Sequence, residues 1–269
     1  MAWNRNLVVT KLKALAAHLS ISVVLVAVAL ALMLWDWFPP PLFATDGGGI
    51  GLKLLVLVDL VLGPLLTFIV FNPAKGRRSI AFDLGCIAVF QLAAFGYGLF
   101  NIHSVRVQAI AFHEGQFHAV TAASYSEQRI EPGSWQALGP AAPYLVDVRE
   151  AADGDEAGGV LAFAMTTGLE PPQLQFLYQP YALKAASHWA QGWALNELQL
   201  QHPQIAAAAA AWLAAHPQQA SAGVRFFRIT GYYASAVLVI GRDGQWLGGF
   251  AGELPKKTLT PSSSPSPRS

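Results

Sequence analysis

Three long apolar runs near the N-terminus constrain this fold more than any other feature of the sequence. A helix needs about 20 predominantly apolar residues to cross the hydrocarbon core of a bilayer. The predicted spans are residues 15–35, 52–71 and 80–100. Only 12% of the residues are charged, whereas a soluble domain has about 25%. We therefore predict a transmembrane domain of three α-helices over residues 15–102, preceded by a cytoplasmic segment, residues 1–14.

Basic residues indicate the orientation of these spans. They flank the predicted cytoplasmic ends: Arg5, Lys11 and Lys13 before the first span, and Lys75, Arg77 and Arg78 between the second and third. The loop of residues 36–51 has no basic residue before its junction with the second span. The positive-inside rule then places the N-terminus in the cytoplasm and the chain after the third span outside. The first run is too long for a signal peptide, so we predict an uncleaved anchor.

Asp59 lies inside the second predicted span, one turn before Gly63 and Pro64. An ionisable residue within a span is a functional hypothesis by default. Gln91 of the third span lies at a similar depth, so two roles stay open for Asp59. It either hydrogen-bonds Gln91 and holds two helices together, or faces a polar group on a partner's transmembrane helix. Pro64 removes a backbone hydrogen bond, which predicts a kink that opens a place for a partner or serves packing.

The other polar residues of the membrane part are predicted to be structural. Asp83 lies near the cytoplasmic end of the third span, more than about 10 Å from Asp59 in depth by the helical rise. Two carboxylates so far apart cannot share a proton, which argues against an intramembrane aspartyl protease. We expect Asp83 to pair with Arg77 or Arg78 at the interface, and Asn72-Pro73 to close the second span.

Residues 103–254 are predicted to form a small extracytoplasmic α+β domain. The pattern indicates strands on both sides of Glu114-Gly115, with Phe117 in the hairpin, and a further strand within residues 141–149. Residues 153–159 are interpreted as an acidic, glycine-containing loop. An alanine-rich helix is expected over residues 204–216, and a hairpin turn at Arg242-Asp243-Gly244. The polar, proline-rich tail of residues 255–269 is predicted to be disordered.

No motif in this domain predicts catalysis, a metal or a cofactor. His113, Glu114 and His118 have the spacing H-E-x-x-x-H, whereas the zinc-protease helix requires H-E-x-x-H, and Gly115 interrupts any helix there. Ser187, His188 and Asp243 come without a nucleophile elbow or oxyanion-hole signature. The net charge of +1 gives no global basic field for nucleic acid.

The second span carries a family resemblance. VDLVLGPLLTFIVFNPAKG, followed by a short basic loop and a span beginning FDL, resembles the type IV pilin accessory proteins, the TfpX/TfpZ group also called FimB. KLKALAAHLSISVVLVAVAL in the first span and QLAAFGYGLF in the third are similar to the same family. FLYQPYALKAA and RDGQWLGGF resemble it more loosely, whereas RITGYYASAVLVI departs from its more basic segment.

The resemblance implies a bacterial inner-membrane protein that assists the stability or assembly of a type IV pilin without catalysing a reaction. The major pilin and membrane lipids are the implied partners, with no cofactor and no nucleic acid. The residues we assign to partner binding are Asp59, Gly63, Pro64, Gln91 and Phe117. Two other classes remain open: a membrane sensor that reads an outer ligand, and a membrane-bound hydrolase that uses His113, Glu114 or His188.

Overall fold

The computed structural model describes residues 5–127, 138 and 142–257, and the side chains of residues 5–7 and 125–127 are not described. The chain divides into two compact units, Met1–Arg106 and Val107–Ser269. Three helices in the first unit are long and apolar enough to cross a membrane: Val8–Trp37, Gly48–Val70 and Arg77–Ser104. A mixed helix-and-sheet domain follows, so the predicted fold class is confirmed.

The first unit is helical throughout most of its length. Its elements are α1 (Arg5–Leu32), a π-helical turn (Met33–Trp37), α2 (Leu42–Thr45), α3 (Gly48–Val56), a π-helical segment (Leu57–Leu62), α4 (Gly63–Val70) and α5 (Arg77–Ser104). The second span thus consists of α3, the π-helical segment and α4. The helices are longer than the predicted apolar runs, because polar residues extend them beyond the length that the hydrocarbon core requires.

Local chemistry explains where the spans end. The first span ends at Trp37, just before Pro39-Pro40-Pro41, where proline cannot continue the helix. After the second span, Asn72 Oδ1 accepts a hydrogen bond from the Ala74 backbone N–H at 3.0 Å and closes the turn. Asp83 pairs with Lys75 at 2.5 Å, so the expectation that it pairs with Arg77 or Arg78 is wrong. Lys75 lies in the same short loop, where its flexible side chain reaches Asp83.

The second unit is built on a seven-stranded sheet with the order β4-β3-β1-β2-β5-β6-β7. Its strands are β1 (Val107–His113), β2 (Gln116–Thr121), β3 (Tyr144–Val148), β4 (Tyr178–Pro180), β5 (Val224–Thr230), β6 (Ser235–Gly241) and β7 (Trp246–Ala251). Its helices are α6 (Ala122–Glu127), α7 (Gly154–Thr167), α8 (Ala185–His188), α9 (Leu195–Gln201), α10 (Pro203–Ala215) and α11 (Pro217–Ala222). Short 3₁₀ turns connect several of these elements, at Pro171–Gln173, Gln175–Leu177, Tyr181–Leu183 and Trp189–Gln191.

Most neighbouring strands are antiparallel, but β1 runs parallel to β3 and β2 runs parallel to β5. The predicted hairpin between β1 and β2 is confirmed. Both turn residues, Glu114 and Gly115, have positive φ (47° and 84°), as a two-residue turn matched to the strand twist requires. The predicted strand near residue 145, the alanine-rich helix and the last hairpin turn are confirmed as β3, α10 and the β6–β7 connection.

Phe117 lies in an aromatic core and not on the surface. Its side chain is 0% exposed and packs against Phe112, Tyr181 and Phe227 with ring centroids 5.0, 5.1 and 5.4 Å away. Residues of a strand alternate between its two faces, and this face of β2 is covered by the core. The prediction that Phe117 contacts a partner directly is therefore wrong.

Residues 154–167 form α7, so the predicted loop at residues 153–159 is wrong. Asp153 Oδ1 accepts a hydrogen bond from the Glu156 backbone N–H at 2.8 Å, which caps the helix. Arg149 donates two hydrogen bonds to Glu156, at 2.9 and 2.6 Å. The Arg149 hydrogen bond, together with one from the Ala152 backbone N–H, lowers the pKa of Glu156 to about 2.

The first three residues of the predicted disordered tail are ordered. Trp193 Nε1 donates a hydrogen bond to the Pro255 carbonyl at 3.1 Å. Lys257 contacts both carboxylate oxygens of Glu197 at 2.8 Å. Residues 255–257 are thus packed on the second unit, and the rest of the predicted tail, residues 258–269, lies outside the described residues.

Candidate functional site

A polar contact between the second and third spans forms where the second span departs from α-helical geometry. In the π-helical segment, the Gly63 backbone N–H bonds the carbonyl of Val58, five residues earlier. The same spacing would direct the next backbone donor to the carbonyl of Asp59. That next residue is Pro64, which has no N–H. The Gln91 side chain supplies the missing donor, with its Nε2 3.2 Å from the Asp59 carbonyl oxygen.

Gly63 makes room for this contact. A Cβ at this position would collide with the amide group of Gln91, so the Gln91 side chain lies directly against the helix backbone. Gly63 and Pro64 are both buried. The structure has a π-helical segment ahead of Pro64, while the kink at Pro64 stays a prediction. Gln91 satisfies the backbone carbonyl that this segment and Pro64 leave without a donor.

The side chain of Asp59 lies within the first unit. It is only 2% exposed, and both the Gln91 amide and the His18 imidazole interact with it. Among the described residues, Asp59 Oδ2 and Gln91 Oε1 are buried without a hydrogen-bond partner. Both atoms are acceptors, so this location has the chemistry to receive a hydrogen-bond donor.

A further polar contact, which the sequence did not predict, joins the first and second spans. His18 Nδ1 and Thr67 Oγ1 lie 2.5 Å apart and share a hydrogen bond. Thr67 is buried two helical turns after Asp59. We name Asp59, Gln91, His18 and Thr67 together the polar seam. A detectable signal was present, because His18 and Thr67 are polar residues within apolar helices, where such groups require partners.

The polar seam connects all three spans by hydrogen bonds and electrostatic contacts. Of the residues assigned to partner binding, the structure brings Asp59, Gly63, Pro64 and Gln91 together and places Phe117 in the separate second unit. The residues assigned structural roles lie after the C-terminal end of the second span, at Asn72 and Pro73, and in the first turns of the third span, where Asp83 pairs with Lys75.

The second unit contains a separate buried polar network centred on Asp147. Its carboxylate accepts hydrogen bonds from Gln179 Nε2 at 2.7 Å and from His188 Nε2 at 2.8 Å. Gln191 Nε2 lies 3.0 Å from His188 Nδ1 and donates to it, which assigns the His188 proton to Nε2. Burial raises the pKa of Asp147, but the hydrogen bonds from His188 and Gln179 outweigh it, and the pKa lies below its usual value.

This network does not extend to either of the other residues considered for a triad. The Ser187 hydroxyl donates to the Lys184 carbonyl at 2.7 Å. Asp243 Oδ1 accepts from the Gln245 backbone N–H at 3.1 Å within the last hairpin turn. Both ring nitrogens of His188 are engaged, and the Phe112 ring centroid lies 4.3 Å from its own. The network therefore holds the buried Asp147 carboxylate in place and supplies its hydrogen bonds.

His113, Glu114 and His118 lie around the β1–β2 hairpin. The two imidazole ring centroids are 6.5 Å apart, and Glu114 pairs with Lys256 at 3.2 Å. Burial, followed by the nearby charges of His113 and Arg228, lowers the pKa of His118 to about 4. Within the described ranges, no group of three or more His, Cys, Asp or Glu side chains is arranged to hold a metal ion.

Comparison with known proteins finds similarity to fimbrial assembly proteins of Dichelobacter nodosus. The serogroup I protein is 38% identical over 76 residues, which cover 28% of this chain and 30% of that protein. The protein of serogroups C1 and C2 has the same identity over 76 residues and is covered over 58% of its length. The serogroup E1 protein is also 38% identical over 76 residues, 30% of its length.

The aligned segment thus spans less than two thirds of each of these relatives. No family model matches the chain, and no solved structure matches it.

Proposed function

We propose that this protein assists the assembly of a type IV pilus as a non-enzymatic membrane chaperone or modulator of the pilin. The observation that carries the proposal is the 38% identity over 76 residues to proteins named for fimbrial assembly. Three helices able to cross a membrane support it, because a subunit held in the membrane before assembly presents a transmembrane helix to such a protein.

The proposed location is the bacterial inner membrane, with the N-terminus in the cytoplasm and residues 103–254 in the periplasm. The distribution of basic residues supports this orientation. Lys11 Nζ lies 3.4 Å from the carbonyl of Ile69, so the N-terminal part of the first span and the C-terminal end of the second share one side. Lys75, paired with Asp83, follows that same end of the second span.

Within the membrane, we assign pilin docking to the second span beside the polar seam. Leu62 and Leu66 are exposed there, at 46% and 49%, while Asp59, Gly63 and Pro64 lie on the buried side of the same helix. Asp59 Oδ2 and Gln91 Oε1 are themselves buried, so the polar seam acts on docking by holding this face of the second span in position for the pilin helix. Packing and hydrogen bonds provide such an association, because lipid removes the hydrophobic drive between helices.

A deletion strain with complementation tests the proposed function. We expect deletion to reduce surface pili and pilin abundance, and the wild-type gene to restore both. Capture of pilin by the tagged, full-length protein from solubilised membranes then tests the docking site. Asp59→Asn should reduce capture, whereas Asp83→Asn makes the same chemical change outside the polar seam and should not. Unchanged piliation after deletion would refute the proposed function, and equal capture by both variants would refute the role of Asp59.

A further inference from the structure

The second unit contains a cavity of about 200 Å³ where two parallel strands separate. Strands β2 and β5 pair only at Phe117 with Ile229 and at His118 with Thr230. Beyond these pairs β5 ends and the chain turns towards β6, while β2 continues to Thr121. The cavity therefore opens at the carboxyl ends of two parallel strands, the position at which open sheets commonly bind ligands.

One wall of the cavity is an ordered set of uncharged polar groups. Ser124 Oγ lies 3.3 Å from Thr121 Oγ1 and receives a hydrogen bond from Gln173 Nε2, also at 3.3 Å. The Glu170 backbone N–H donates to Gln173 Oε1 at 2.9 Å and fixes the orientation of the amide. Two hydroxyls and an oriented amide offer both donors and acceptors to a bound group.

The charges around the cavity argue against an anionic ligand. Glu170 is among the lining residues, and neither lysine nor arginine is among those that the structure describes. Arg228 is nearby but its guanidinium is directed to Thr230 and Ser235, at 3.3 and 2.9 Å. An entirely apolar ligand is also disfavoured, because it would bury the polar wall without satisfying it.

Two tyrosines stand at the mouth of the cavity. Tyr232 lines it and is 78% exposed, and Tyr233 is 58% exposed. Their ring centroids are 4.8 Å apart in an edge-to-face contact, and the turn is closed by a hydrogen bond from the Gly231 N–H to the Ala234 carbonyl at 2.9 Å. Exposed tyrosines held in one geometry provide an apolar ring face at low entropic cost.

From this geometry we infer that the cavity binds a single uncharged sugar ring of a glycan. Ring hydroxyls both donate and accept, which matches Thr121, Ser124 and Gln173, and the C–H face of a sugar packs on an aromatic ring such as Tyr232. The cavity is smaller than the roughly 300–1,000 Å³ of sites that enclose drug-sized ligands, so it holds one ring of a longer chain. This inference is independent of the proposed role in pilus assembly.

Saturation-transfer NMR on the full-length protein in nanodiscs tests the inference. The probes are two uncharged trisaccharides: an N-acetylglucosamine oligomer, with the linkage chemistry of cell-wall glycans, and maltotriose. We expect saturation transfer to at least one of them, and a decrease in affinity of about tenfold or more for Tyr232→Ala and for Gln173→Ala, as for the loss of a central contact. Tyr232→Phe keeps the ring and should retain binding.

Leu200→Ala is the matched control, since this exposed side chain is absent from the cavity lining. Hydrogen exchange in β5 and β6 verifies that each variant is folded. Selective binding of either trisaccharide supports the inference and shows which sugar chemistry the cavity prefers. Absence of transfer to both, or binding that folded Tyr232→Ala and Gln173→Ala leave unchanged, overturns it. A pilin crosslink to the Tyr232 position without trisaccharide binding would also overturn it and assign the surface to protein recognition.

Discussion

Gln91 donates a hydrogen bond to the backbone carbonyl of Asp59, the acceptor for which Pro64 provides no N–H. The two residues thus join the second and third spans through a backbone group and not only through side chains. The cost of an irregular helix inside a membrane is offset by a neighbouring span, which explains how Gly63-Pro64 is tolerated at this depth. Because of this relationship, the contribution of Gln91 to the stability of the helix assembly depends on the residue at position 64.

Replacement of Gln91 by leucine should destabilise the helix assembly by about 1 kcal/mol, the typical value of such a contact. In a Pro64→Ala background the loss should be smaller, because residue 64 then has its own N–H. A double-mutant cycle, measured by reversible unfolding in detergent micelles, gives this coupling directly. Leu92→Ala, on the exposed side of the third span, is the control. Strict additivity of the Gln91 and Pro64 changes would contradict the assigned hydrogen bond.

Gly63→Ala should displace the Gln91 amide and cost about 1–3 kcal/mol through overpacking. The matched substitution is Gly96→Ala in the third span, where an added Cβ meets no atom within 4 Å. Thermal denaturation of both variants in the same detergent compares them. A Gly63→Ala protein as stable as the Gly96→Ala protein would show that the two spans are not in close contact at this site.

His188→Ala should remove a hydrogen-bond partner from the Asp147 side chain, which is only 7% exposed. We expect the second unit to lose about 1–3 kcal/mol, the usual effect of removing a donor from a buried acceptor, although Gln179 still donates to the same carboxylate. Lys256→Ala breaks an exposed pair with Glu114 and should have a smaller effect, because solvent screens exposed ion pairs. Native-state hydrogen exchange of the β1 and β3 amides reports both losses in the intact chain. Equal losses would mean that the Asp147 network contributes little.

His118 should make the second unit less stable in acid. Its pKa in the fold is about 4, and in the unfolded chain about 6.5. The unfolded state therefore binds the proton first, and stability falls as the pH decreases from about 6.5 to about 4, by at most about 3 kcal/mol. His113, Glu114, Arg228 and Lys256 are the charged and titratable groups that act on it.

His118→Gln should flatten this pH dependence, whereas His202→Gln provides the matched change of a histidine elsewhere in the unit. Hydrogen exchange of the β2 and β5 amides across this pH range gives the comparison. The same slope in wild type and in His118→Gln would assign the acid sensitivity to another group.

In the membrane part, the sequence predicts a contact between two spans where both residues lie at the same depth in the bilayer. Equal depth predicts that Asp59 and Gln91 meet, because spans of known direction align their residues along the bilayer normal. It does not reveal that the amide bonds a backbone carbonyl, since that depends on the π-helical register ahead of Pro64. The His18–Thr67 contact was missed because helix rotation about its own axis is set by packing and not by hydropathy.

In the second unit, the sequence predicts structure that depends on neighbouring residues better than contacts between distant residues. The sequence Asp153-x-x-Glu156 resembles a helix-capping box, yet the glycines at 154, 158 and 159 favour a loop in isolation. Asp147 and His188 lie 41 positions apart, so only the folded sheet brings them together. The exposure of Phe117 could not be inferred from alternation alone, because the hairpin has residues on both faces and only packing decides which face is covered.

Site-specific photo-crosslinking in native membranes is the most direct test of the central claim, that the second span docks a pilin. Probes at Leu62 and Leu66 flank the polar seam, and a probe at Phe90 of the third span, 77% exposed, reports on random encounters in the lipid. We predict a pilin-sized adduct from Leu62 or Leu66, absent from a strain without pilin and much weaker from Phe90. A stably inserted protein with no such adduct, or with equal adducts from all three probes, would contradict the account.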